Sequence, residues 1–108
     1  MIELVQYVDR NGRNPFDRWF DRLNESAQAK IVIALDRLER GNTSSAKAIG
    51  AGVNELRLDF GPGYRIYFGW DGTNLVILLG GGTKKRQQAD IAAAQHLWLE
   101  YKTRKREA

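Results

Sequence analysis

Hydrophobic positions along this chain follow a helical period from Phe16 to Gly41, a strand period from Val53, and a helical period again from Gln88. Phe16, Trp19, Phe20 and Leu23 fall at i, i+3, i+4 and i+7, which lines one face of a helix. Asn14 suits the cap of that helix and Pro15 its first position. Ile31, Ala34, Leu35 and Leu38 repeat the spacing in a second helix, with Ser26 as its expected cap and Gly41 as its stop. Only Asn24 and Glu25 stand between the two stretches, so an antiparallel helical hairpin is expected. Ahead of it, residues 2–8 read as a strand closed by Asp9-Arg10-Asn11-Gly12.

Residues 42–52 are rich in Ser, Ala and Gly without a period, and read as a loop. Beyond them Leu56, Leu58 and Phe60 alternate with Glu55, Arg57 and Asp59. Gly61-Pro62-Gly63 makes a turn, and Tyr64, Ile66, Phe68 and Trp70 then alternate with Arg65, Tyr67 and Gly69. Asp71-Gly72-Thr73-Asn74 makes a second hairpin turn. Leu75 to Leu79 are apolar at every position, as in a strand buried on both faces. Gly80-Gly81-Gly82 is expected to end that strand. A last helix, about Gln88 to Arg104, carries Ile91, Ala94, Trp98 and Tyr101 on one face. The expected class is α+β, in the order β-α-α-β-β-β-α. The last three strands form an antiparallel meander, and the helical hairpin covers one face of the sheet.

Composition narrows the chemistry. A chain of 108 residues is expected to form one domain, spanning 1–108. It has no cysteine and a single histidine, His96, which removes disulfides, thiol chemistry and multi-histidine metal sites. No cofactor or metal is expected. No apolar run approaches the roughly 20 residues of a membrane helix. The first residues lack a signal-peptide layout, so a cytoplasmic protein is expected. Residues 84–108 hold seven cations (Lys84, Lys85, Arg86, Lys102, Arg104, Lys105 and Arg106) against Asp90, Glu100 and Glu107. The whole net charge of +4 therefore lies in this last part. It points to a polyanionic partner or to a solvated basic tail.

Strand parity gives the sharper candidates. If the even-numbered apolar residues face the core, Glu55, Arg57, Asp59, Arg65 and Tyr67 project from the other face. An antiparallel sheet can leave that face in water. Arg57 and Arg65, one turn apart, then suit phosphate, with Tyr67 available for base stacking. The same pattern also fits a solvated face on which the arginines pair with Glu55 and Asp59. Gly80-Gly81-Gly82 followed by Lys84-Lys85-Arg86 suits close backbone approach to a phosphate, although P-loop spacing is absent. Three cations at a helix start oppose the helix dipole, which favours a functional reason for them.

The segments Val53-Asn54-Glu55-Leu56-Arg57-Leu58, Gly61-Pro62-Gly63-Tyr64-Arg65-Ile66-Tyr67-Phe68, Leu79-Gly80-Gly81-Gly82-Thr83-Lys84-Lys85 and Gln88-Ala89-Asp90-Ile91 resemble the RelE/ParE toxin superfamily. Within it they look most like the HigB-like "addiction module killer protein" branch. The resemblance implies a RelE-like microbial RNase fold and a type II toxin that cleaves messenger RNA, usually on the ribosome, without a metal. It also implies arrest of translation and neutralisation by a co-encoded antitoxin, often of helix-turn-helix type. Arg57, Arg65 and Lys84 or Lys85 match the catalytic cations of such toxins. Glu55, Tyr67 and Arg86 are the accompanying RNA-binding candidates, with Glu55 also considered as a base. Two positions depart from the pattern: Glu55 stands where RelE-type enzymes tend to carry lysine, and Ile91 where they tend to carry tyrosine. These departures leave two alternatives open, a ParE-like gyrase poison and an antitoxin-binding module without catalysis.

Overall fold

The computed structural model describes residues 1–108. The strands are β1 (Glu3–Gln6), β2 (Ala46–Gly50), β3 (Val53–Leu58), β4 (Tyr64–Asp71) and β5 (Leu75–Thr83). The helices are α1 (Pro15–Asp21), α2 (Glu25–Glu39) and α3 (Gln87–Glu107). The fold is α+β, a five-stranded mixed sheet in the order β1-β5-β4-β3-β2. β3, β4 and β5 form the expected antiparallel meander, while β1 runs parallel to β5.

Local chemistry explains most boundaries. Asn14 caps α1 by accepting a hydrogen bond from the Asp17 amide at 3.0 Å, with Pro15 in the first helical position. The cap of α2 is Asn24, not Ser26: its side chain accepts from the Ala27 amide at 2.9 Å. Asparagine and serine cap comparably well, and the earlier of the two is used. Gly41 ends α2 with a φ of +92°, a conformation that glycine adopts without strain.

The stretch expected to be a loop contains β2, paired antiparallel to β3 through a bulge near Ala48–Gly50. Its sequence Ala-Lys-Ala-Ile-Gly has little strand propensity, and pairing with β3 supplies what propensity does not. Gly80-Gly81-Gly82 does not end β5, which continues to Thr83. A register shift opposite Tyr67 and Phe68 lets the strand pass through the glycines.

The even-numbered side chains behave as expected. Leu56, Leu58, Tyr64, Ile66, Phe68, Val76 and Leu78 pack with Phe16, Ala27, Ile31 and Leu38 of the hairpin. The opposite face, however, is not left in water. Helix α3 lies across it, and Tyr7, Val53, Tyr67, Ile77, Leu79, Ala94 and Trp98 form a second buried cluster there. No helix is long and apolar enough to cross a membrane.

Candidate active site

Glu55, Arg57, Arg65 and Tyr67 stand on the α3 face of β3 and β4, and register sets them side by side. Arg57 is the direct partner of Arg65, and Glu55 of Tyr67. The pairing inferred from the turn therefore holds at the backbone. Solvent treats the four differently. Arg57 is exposed, whereas Glu55, Arg65 and Tyr67 are only 1%, 2% and 1% exposed beneath the start of α3. The open face expected for these three residues is corrected to a buried one, because α3 covers them. Tyr67 accordingly offers no exposed ring for a base to stack on, and Glu55 no exposed carboxylate for RNA.

The buried group is a charged network. Arg65 Nε lies 3.6 Å from Glu55 Oε1. An Arg65 terminal nitrogen donates to the Tyr64 carbonyl at 3.2 Å. Gln87, the first residue of α3, donates to Glu55 Oε2 at 2.6 Å. Asp90 reaches down over Gly82, the strand partner of Arg65. Burial, then the negative charges of Glu55 and Asp90, push the Tyr67 hydroxyl well above its usual range. Burial raises the Asp90 carboxyl against the pull of Arg86. The buried polar side-chain atoms without a protein hydrogen-bond partner are Arg65 Nε, Tyr67 Oη and Asp90 Oδ2, and all three are in this network. Each such atom costs about 1–3 kcal/mol, so their concentration in one place calls for a functional explanation.

Beside Arg65 the network meets a cleft open to solvent. A cleft of about 300 Å³ is lined by Arg57, Asp59, Phe60, the Gly61–Gly63 turn, Arg65 and Lys84. Arg65 forms its floor, with a terminal nitrogen 3.4 Å from the place a Gly63 Cβ would take. Lys84 closes the far side, its amide donating to the Gly63 carbonyl at 2.8 Å. Lys85 and Arg86 are exposed in the single 3-10 turn Lys84–Arg86 and line an adjoining hollow with Lys84 and Gln87. Three cations thus converge on the cleft and two more stand at its exit, an arrangement whose charge and donors suit phosphate oxygens.

Residues 18–97 match the model of a family described as phage derived protein Gp49-like (DUF891). The chain belongs to the Gp49-like family. The match runs from within α1 to within α3 and takes in every residue of the cleft and of the buried network. It is coarser than the HigB-like branch expected from the motifs. A Haemophilus influenzae strain Rd relative, described as an uncharacterized protein, is 45% identical over 86 residues, which cover 79% of this chain and 87% of the relative.

In this Gp49-like chain Gly81 and Gly82, expected as part of a phosphate cradle, are instead packed against side chains. A Cβ on Gly81 would sit 2.3 Å from the Trp19 ring, and one on Gly82 would sit 1.9 Å from Asp90 Oδ2. The glycines let α1 and α3 approach β5 from opposite sides. Sequence reasoning missed Gln87 and Asp90 as partners of the buried network. Only their place in the first turn of α3 could have signalled them. Asp59, placed on this face only as a pairing partner for the arginines, is the one carboxylate lining the cleft.

Proposed function

We propose that this Gp49-like protein is a toxin of a type II toxin-antitoxin system that cleaves messenger RNA and so arrests translation. The observation that carries the proposal is the cleft in which Arg57, the buried Arg65 and Lys84 converge beside the only buried polar atoms without partners. Kinship of the family with RelE/HigB-type toxins supports it.

In the proposed reaction the RNA 2′-hydroxyl oxygen attacks its own phosphorus. The bond to the 5′-oxygen of the next nucleotide breaks, leaving a 2′,3′-cyclic phosphate and a 5′-hydroxyl end. Arg65 and Arg57 neutralise the extra charge on the phosphoryl oxygens, a task suited to guanidinium groups that stay charged and bind oxygens in pairs. Asp59 takes the 2′-hydroxyl proton, and Lys84 delivers one to the departing oxygen. Lys85 and Arg86 hold the outgoing strand. Glu55, fixed by Gln87, is a positioning residue for Arg65, and Tyr67 packs beneath both. The protein is held inactive by a co-encoded antitoxin, proposed to be a helix-turn-helix protein.

Induction in growing cells followed by primer-extension mapping tests the proposal. Discrete cuts in translated messages are expected. Arg57→Ala is expected to lower cleavage on the order of a hundredfold while melting like the parent chain. Intact messages with damaged DNA would instead support a ParE-like gyrase poison. Growth that continues without an antitoxin would support a partner-binding module, a reading favoured by the departures at Glu55 and Ile91 and by the pairing of Arg65 with Glu55.

A further inference from the structure

A second depression continues from the cleft. It holds about 400 Å³ between α2 and the end of β3, and shares Arg57, Asp59 and Phe60 with the cleft. Its cations are Lys30, Arg37 and Arg57, against the single acid Asp59. Lys30 and Arg37 are exposed and take part in none of the ion pairs of the protein. A cation near the end of α2 is favoured by the helix dipole, which accounts for Arg37. Lys30, in the middle of α2, has no such reason to be there. Its Nζ hangs 5.0 Å over the Phe60 ring.

The far rim is shaped by fixed polar groups. The Asn42 amide donates to the Arg37 carbonyl at 2.9 Å, and the Asn42 side chain accepts from the Ser44 amide and hydroxyl at 3.1 and 2.7 Å. Ile33 leaves an apolar side chain 52% exposed on the α2 wall. A surface with free cations, a partly exposed aromatic ring, an apolar wall and preset polar groups has the mixture that single-stranded nucleic acid needs. Phosphates meet the cations, and a base meets the ring.

We infer that this groove binds the nucleotides flanking the cleaved one in single-stranded RNA. Lys30 and Arg37 meet backbone phosphates, and Phe60 supports a base at the junction with the cleft. The inference rests on the proposed RNA cleavage and adds the track along which the substrate lies. Lys30 swings from the Phe60 ring to a phosphate as the base arrives, a movement its flexible stem allows.

The test is fluorescence anisotropy with a labelled single-stranded oligoribonucleotide, 2′-O-methylated so that it cannot be cut. The Lys30→Ala/Arg37→Ala double variant is expected to bind about tenfold more weakly at moderate salt. The slope of log affinity against log salt is expected to fall by about 1.4, as for two lost phosphate contacts on a single strand. Lys30→Arg/Arg37→Lys keeps both charges and is expected to retain the parental slope. Cleavage of a short substrate confined to the cleft should stay unchanged in the Ala variant. Parental affinity and slope in the Ala variant, with RNA bound by the parent chain, overturn the groove alone. Failure of the parent chain to bind RNA at any salt overturns both the groove and the proposed function. Unchanged RNA binding by a variant that no longer captures its neutralising protein assigns the groove to an acidic protein surface, and likewise overturns the inference.

Discussion

The two faces of the sheet are covered by different chemistry. The hairpin face is closed by an apolar cluster of eleven buried residues, in which Tyr64 is the only side chain with a polar atom. Its attraction is non-directional, roughly 25 cal/mol for each Å² of apolar surface removed from water. The α3 face is apolar only in its middle, where Trp98 and Ala94 lie against the sheet. Each end of α3 is held by polar groups. At the start are Gln87, Glu55, Arg65 and Asp90. Toward its C-terminus, Tyr7 donates to Glu100 at 2.5 Å, Tyr101 bonds Asp71, and Lys105 bonds Asp71 at 2.6 Å. A buried apolar contact tolerates substitution by size, whereas a buried charge requires its partner. The face that carries the candidate site is therefore also the one in which single changes should be most disruptive.

The largest expected effect is at Arg65. Arg65→Ala leaves Glu55 buried without its cation and should cost about 3–5 kcal/mol in urea unfolding. Loss of toxicity in that variant would therefore not by itself assign a catalytic role. The Glu55→Leu/Arg65→Leu pair should recover most of the stability without recovering cleavage. If Arg65→Ala melts like the parent chain, the two faces are energetically alike and the contrast fails.

Two adjacent glycines sharpen the comparison at smaller scale. Gly81→Ala forces a Cβ to 2.3 Å from the packed Trp19 ring, with an expected cost of about 1–3 kcal/mol. Gly82→Ala meets instead the carboxylate end of Asp90 at 1.9 Å. Adding Asp90→Ala should relieve most of the Gly82→Ala penalty and none of the Gly81→Ala penalty. A double-mutant cycle of melting free energies reads this directly.

The smallest effects separate the two ends of α3 by pH. The bond from Lys105, then that from Tyr101, lowers the Asp71 carboxyl below its ordinary 3.8. The unfolded chain then holds that proton more tightly than the folded one. The Asp71 contribution is present above about pH 4 and is lost as pH falls through the lowered value. Asp71→Asn should thus cost about 0.5 kcal/mol near neutrality, less at high salt and less still in acid. Asp90, raised by burial, has the opposite sign: stability falls as pH rises through its range. Asp90→Asn is expected to stabilise the chain at neutral pH. Parallel pH profiles for the two variants would show that the ends of α3 do not differ.

Several features were legible in the chain because they depend on neighbours in sequence. Asn14-Pro15 at the start of α1, the stop at Gly41, the helical stripes, the turn at Gly61–Gly63 and the direct pairing of Arg57 with Arg65 are of this kind. The unbroken apolar run Leu75–Leu79 even implied a second covered face, since Val76 and Leu78 join one cluster while Ile77 and Leu79 join the other. Glu55, Arg65 and Tyr67 hid that implication, because polar side chains at alternate positions look the same whether solvent or a helix lies above them. Likewise β2 has little propensity to announce it, and Gly81 and Gly82 are indistinguishable in sequence from a strand break. The sequence by itself determined which residues share a face and which stand opposite one another. The placement of α3 across the second face decided which of those residues water can reach. It left Arg57 outside and drew Arg65 inside, because burial depends on contacts between segments that are distant in the chain.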